Sequence, residues 1–148
     1  RETLEAALAN ASRAMGEPTL ESCRARLAAI CHDAETVAEE ILLTQLTSYA
    51  LPDRFDAYKA TIRGLIGTIE SDEHRIYSRL EQLRARTLIV TGRNDIRADW
   101  RRHVEARRRM PNARLVVFDA CGHLPYMEHP AEFNDIVGTF LGGAEVGD

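Results

Sequence analysis

Apolar residues follow two different rhythms along the chain, and the change comes near residue 84. Before it they recur at helical spacing. Leu20, Cys23, Leu27, Ile30 and Cys31 share one face, and Pro18-Thr19 supplies a start with Glu21 and Ser22 in the first turn. A second helix over about Glu35 to Tyr49 presents Val37, Ile41, Leu42, Leu46 and Tyr49, and Pro52 closes it. A third places Phe55, Tyr58, Ile62, Leu65, Ile66 and Ile69 on one stripe despite Gly64 and Gly67. A shorter helix over Glu2 to Ala14 precedes them.

After residue 84 short unbroken apolar runs alternate with helical stripes. Arg86-Thr-Leu-Ile-Val-Thr91, stopped by Gly92, is rich in β-branched residues and predicts a buried strand. Asp99 to Met110 predicts a helix, and Ala113-Arg-Leu-Val-Val-Phe118 a second buried strand after the turn pair Pro111-Asn112. Phe133, Ile136, Val137, Phe140 and Leu141 then mark a last helix ended by Gly142 and Gly143. Strand, helix, strand, helix describes a right-handed parallel crossover. Parallel sheets are normally covered on both faces and continue for several strands, so two strands alone leave an edge open. The chain therefore reads as an α/β unit, incomplete by itself, preceded by a helical region. The expected division is a helical region over residues 1–72 and an α/β core over residues 73–148.

Composition narrows the function classes without choosing one. No apolar run approaches the roughly 20 residues of a membrane-spanning helix, and no secretory leader opens the sequence. Three cysteines, Cys23, Cys31 and Cys121, are an odd number at no metal-ligand spacing, which points to free thiols in a reducing, cytoplasmic setting. Net charge is −4, and the densest basic patch, Arg101, Arg102, Arg107, Arg108 and Arg109, lies on one expected helix with no interleaved aromatics. It reads as a solvated helix face, which argues against nucleic acid as a partner. His32, His74 and His103 have no partner at ligand spacing, so no metal and no cofactor is expected.

Functional loops of open parallel sheets lie beyond the carboxyl ends of the strands. Asp95 follows the first strand in Thr91-Gly-Arg-Asn-Asp95, and His123 follows the second in Asp119-Ala-Cys-Gly-His123. Neighbouring parallel strands set such loops side by side, where a carboxylate fixes an imidazole's tautomer and stabilises its protonated form. Asp95 alone is equally a turn residue. Asp99 is the alternative acid if the loop is longer. Ile96 and Leu124 adjoin the two positions and are the expected substrate-pocket residues, with plain packing an equal account of both. Cys121 reads as a small buried filler, and Glu128 and His129 as the start of the last helix.

The run Thr-Leu-Ile-Val-Thr-Gly-Arg-Asn-Asp, the 28-residue step to Gly122-His123, and Glu128-His129-Pro130 with Phe133 beyond it resemble the C-terminal end of α/β-hydrolases. The order, acid before histidine, is the one that family uses. The resemblance implies a Ser-His-Asp triad with Asp95 and His123 as two of its members, and makes the helical region the family's cap. Glu17-Pro-Thr-Leu-Glu-Ser22 and His32-Asp-Ala-Glu35 are similar to the cap of meta-cleavage-product hydrolases, which split carbon–carbon bonds. Those enzymes usually carry a carboxylate-holding arginine late in the second of these helices, and tryptophan after the histidine. Here Leu42-Leu-Thr-Gln-Leu-Thr-Ser-Tyr49 has no arginine and Leu124 follows His123, so ester and lactone substrates stay open.

The family's nucleophile elbow, Gly-x-Ser-x-Gly, does not occur in this sequence. Ser12, Ser22, Ser48, Ser71 and Ser78 lie in or between expected helices, and none follows a strand. The expected partner is therefore an N-terminal hydrolase half bearing the elbow, as a separate or nicked chain, together with a small organic substrate. The competing expectation is a non-catalytic, hydrolase-derived module for ligand or protein binding.

Overall fold

A computed structural model describes residues 2–33, 35, 37–68, 71 and 76–144. Ile69 of the third stripe and His74 lie outside them. The chain divides into two compact units, Arg1–Ala29 with Val37–Arg75, and Ile30–Thr36 with Ile76–Asp148.

The first unit is helical: α1 (Glu2–Gly16), α2 (Leu20–Ala28), α3 (Glu39–Tyr49) and α4 (Arg54–Thr68). The start of α2 is the one its sequence predicts. Thr19 Oγ1 accepts the Ser22 N–H at 3.0 Å while Ser22 Oγ accepts the Thr19 N–H at 3.0 Å, a reciprocal capping box. Ala11, Ala14, Met15, Cys23, Leu27, Leu42 and Ile62 are buried within these helices. Arg26 lies over the rings of both Tyr49 and Tyr58 and donates to the Tyr49 hydroxyl at 2.8 Å. Such a guanidinium adds packing area and ring attraction to its hydrogen bond. Burial pushes the Tyr49 hydroxyl's pKa up, and the Arg26 charge works against that.

Two of these helices are shorter than their periodicity predicts. α2 ends at Ala28, so Ile30 and Cys31 leave the expected stripe, and α3 begins at Glu39, so buried Val37 precedes it. Helical spacing continues through Cys31, but the Ile30 carbonyl accepts the His123 N–H at 2.8 Å in the second unit. Tertiary hydrogen bonding overrides the local pattern.

The second unit opens with a 3₁₀ turn, Tyr77–Gln82, followed by β1 (Thr87–Gly92), α5 (Trp100–Arg109), β2 (Ala113–Phe118), α6 (Pro125–Glu128) and α7 (Pro130–Leu141). The strands pair in parallel from Thr87 opposite Ala113 to Gly92 opposite Phe118. α5 crosses between them and packs on both. Its start is capped by Asp99, whose carboxylate accepts the Arg101 N–H at 3.0 Å. Leu80, Met110 and Ala113 form a buried cluster with Ile89 and Ala106 against it. The coverage stops there. Leu88, Ile89 and Val90 are only half-buried, the α7 residues Phe133, Ile136, Val137 and Phe140 likewise, and Leu141 is 75% exposed. Thr91 Oγ1 is buried and finds no hydrogen-bond partner among the described residues.

Candidate active site

Two glycines let the loops beyond β1 and β2 approach each other. A Cβ on Gly92 would fall on the Gly122 and Cys121 carbonyl oxygens. A Cβ on Gly122 would lie within 2.7 Å of the backbone of Ile30, Cys31 and His32. Neither position has room for any side chain. The backbones then bond directly: Arg93 N–H to Phe118 O at 2.8 Å, and Asn94 N–H to Cys121 O at 2.8 Å. The acid loop is thereby tied to the histidine loop before either side chain is considered. Arg93 also pairs with Asp119 and lies over the Trp100 ring, bracing the same corner.

Asp95 sits in this corner with its side chain 5% exposed. Its Oδ1 accepts the Arg97 N–H at 2.8 Å and the Ala98 N–H at 3.2 Å. That leaves Oδ2 to meet His123 Nδ1 at 2.8 Å. A carboxylate only accepts, so the bond requires a proton on Nδ1. In the neutral imidazole the lone pair is then on Nε2, the nitrogen that remains for a reacting group. The two turn amides act as an orienting clamp on the aspartate, as the aspartate does on the histidine. A buried carboxylate is costly unless hydrogen-bonded, and three donors meet this one.

The two residues singled out from strand-end position are thus brought together. The Asp99 carboxylate caps α5, and it is Asp95 that meets His123. Leu124, half-buried, precedes α6, whereas Ile96 is 80% exposed. Ser12 donates to Leu8 O, and Ser22 is occupied by its capping box. Cys121 is fully buried, as expected of a filler. Burial and the neighbouring Glu128 carboxylate push its thiol up to about 12, and the same two causes push Cys31 up to about 11.

Of the two residues expected to begin the last helix, His129 does so as its N-cap and Glu128 does not. That helix starts at Pro130; Glu128 ends α6 and is buried, and His129 donates from Nε2 to the Ala120 carbonyl at 3.2 Å, beside the Phe118 ring. Pro130 at a first helical position is an ordinary helix-start signal, which is why sequence reasoning placed the start beside it. The signal for the other outcome was the neighbourhood of Glu128: Leu124, Pro125 and Met127 give an acidic residue apolar company.

The sequence profile of the alpha/beta hydrolase family matches residues 5–136. The chain belongs to that family. A curated relative, the 2-hydroxy-6-oxononadienedioate/2-hydroxy-6-oxononatrienedioate hydrolase of Burkholderia vietnamiensis, is 32% identical over 134 residues, 84% of this chain and 42% of its own. A pimeloyl-[acyl-carrier protein] methyl ester esterase of Nitrosomonas europaea is 32% identical over 79 residues, 50% of this chain and 29% of its own. Among solved structures, a 2-hydroxy-6-oxo-6-phenylhexa-2,4-dienoate hydrolase from a Rhodococcus species superposes with a TM-score of 0.70. It is 20% identical, covering 92% of this chain and 49% of its own. The chain therefore spans less than half the length of the hydrolases it matches.

Proposed function

We propose that this chain supplies the acid and the base of a serine-type α/β-hydrolase acting on a small organic substrate. His123 takes the proton of a serine through Nε2 and later delivers it to the leaving group. Asp95 holds the imidazole in the required tautomer and stabilises the imidazolium in between. The observation that carries this reading is the 2.8 Å bond from Asp95 Oδ2 to His123 Nδ1, with the other aspartate oxygen fixed by two amides.

The serine and the oxyanion donors come from a second segment bearing the nucleophile elbow, and the helical first unit supplies the enzyme's cap. Three features favour such a partner. The half-buried strand residues Leu88, Ile89 and Val90 have the composition of a strand covered on both faces, Thr91 Oγ1 has no hydrogen-bond partner among the described residues, and the chain covers 42% of its dienedioate-hydrolase relative. The substrate class follows from the relatives: a carbon–carbon bond in a dienoate diketone acid first, with an ester second on the likeness to the methyl ester esterase.

The test combines the chain with the elbow-bearing half and exposes the mixture to a fluorophosphonate, which traps an activated serine. The expected result is labelling of that half, dependent on this chain and abolished by His123→Ala. Labelling that is equally fast without this chain overturns the proposal. Turnover of aryl esters against a dienoate diketone then separates the two substrate classes.

A further inference from the structure

We propose that Glu128 is a positioning residue for His123, a carboxylate that pins the peptide groups on both sides of the histidine and so sets where its imidazole meets Asp95. Glu128 is only 8% exposed. Its Oε1 accepts the Leu124 N–H at 3.1 Å and the Gly122 N–H at 3.1 Å, and the Cys121 thiol approaches the same oxygen at 3.8 Å. Its Oε2 accepts the Gly122 N–H at 3.0 Å and the His32 N–H at 2.7 Å. Between these bonds, the His123 N–H itself donates to the Ile30 carbonyl at 2.8 Å. Three consecutive amides, 122 to 124, are therefore held, two by one side chain and the middle one by the segment which that side chain also holds.

Geometry and charge both select a carboxylate here. Both oxygens receive N–H donors, so a glutamine in either orientation turns an NH₂ group toward at least one of the amides. Burying a charge is costly, and here the backbone N–H groups of His32, Gly122 and Leu124 meet it. A residue that only filled space would need no charge. The payoff is positional: His123 Nδ1 reaches Asp95 at 2.8 Å only while the loop backbone is fixed. A displacement of about 1 Å takes that contact beyond hydrogen-bonding range, and misplacements of that size cost on the order of 10²-fold in rate.

The test compares Glu128→Gln and Glu128→Ala with Leu80→Ala, a control in the buried cluster near the other ends of the strands, at matched thermal stability. Protein labelled with ¹⁵N-histidine is read for the Asp95-bonded Nδ1–H of His123, and the complete assembly for kcat and KM. Glu128→Gln is expected to lose the bonded Nδ1–H signal and about 10²-fold in kcat, with KM within about threefold. Leu80→Ala should keep both. The isosteric glutamine carries the test if the alanine variant does not fold. A Glu128→Gln protein that keeps the signal and kcat, or a control that loses them equally, overturns the proposal. The kinetic arm rests on the hydrolase reading and the spectroscopic arm does not. An unaltered protein with the bonded signal but no turnover would therefore count against that reading alone.

Discussion

Replacing Asp95 by asparagine tests the site most directly, because the structure says which atom changes its role. The Arg97 and Ala98 N–H groups hold the oxygen at the Oδ1 position, so the new amide nitrogen takes the place of Oδ2 and faces His123 Nδ1. Two donors cannot share that contact. The imidazole gives up its Nδ1 proton, accepts from the amide, and carries its proton on Nε2 instead. Nε2 then has no lone pair with which to take a proton from a nucleophile. In the Ser-His-Asp template this tautomer error lowers kcat by about 10⁴-fold, which corresponds to ~5.4 kcal/mol at ~1.36 kcal/mol per tenfold. Stability should change far less, because the clamp on the other oxygen survives and only one charge-assisted bond is weakened, by ~1–2 kcal/mol. The assay pairs turnover in the assembly with ¹⁵N shifts of His123. Activity within about threefold of the unaltered protein, or an unchanged Nδ1-protonated ring, refutes the reasoning.

Other consequences are as specific. Asp99→Ala should cost ~1 kcal/mol in urea denaturation through the lost cap of α5 while leaving turnover within about threefold; a large loss of turnover would make Asp99 the acid after all. Gly122→Ala should destabilise by at least ~2 kcal/mol, since the methyl meets backbone rather than a side chain that can turn away, and it should also weaken the Asp95–His123 bond; an unchanged denaturation midpoint counts against the packing described. Cys31 and Cys121, with thiols raised from 9.0 to about 11 and about 12, stay protonated in the folded chain while the unfolded chain ionises. Their contribution to stability is whole below about pH 9 and falls as pH climbs through the window up to those values. A double alanine variant should show a flatter decline there in urea melts, and equal slopes would contradict the shifts.

The parts of the fold set by local periodicity were legible before any coordinates. β2 spans the residues its apolar run marks, and β1 differs by one position at each end because Gly92 pairs with Phe118 while Arg86 turns to cap the end of α7, donating to the Phe140 and Ala144 carbonyls. Asp95 and His123 were legible because strand ends in a parallel sheet dictate where loops meet. The stop of α2 at Ala28 was not, since nothing within the stretch forbids another turn; a carbonyl needed elsewhere ends it. Glu128 escaped for a related reason. Its apolar neighbours in sequence hint at burial, but its partners at Gly122, Leu124 and His32 are backbone groups, which leave no mark on a sequence.

The bond from the His32 amide to Glu128 joins positions 96 residues apart. Closing a loop of that length costs about 4 kcal/mol in chain entropy before any contact returns it. The paired imidazole and carboxylate can be drawn together by neighbouring strands and Glu128 can bond Gly122 and Leu124 locally, but the bonds from Ile30 and His32 form only when an early stretch of chain meets a late one. Maturation of the site should therefore be among the last events of folding, slower than the helices and strands that carry it. A chain without Ile30 and His32 would keep the imidazole and the carboxylate but lose the two long-range bonds that steady the loop between them.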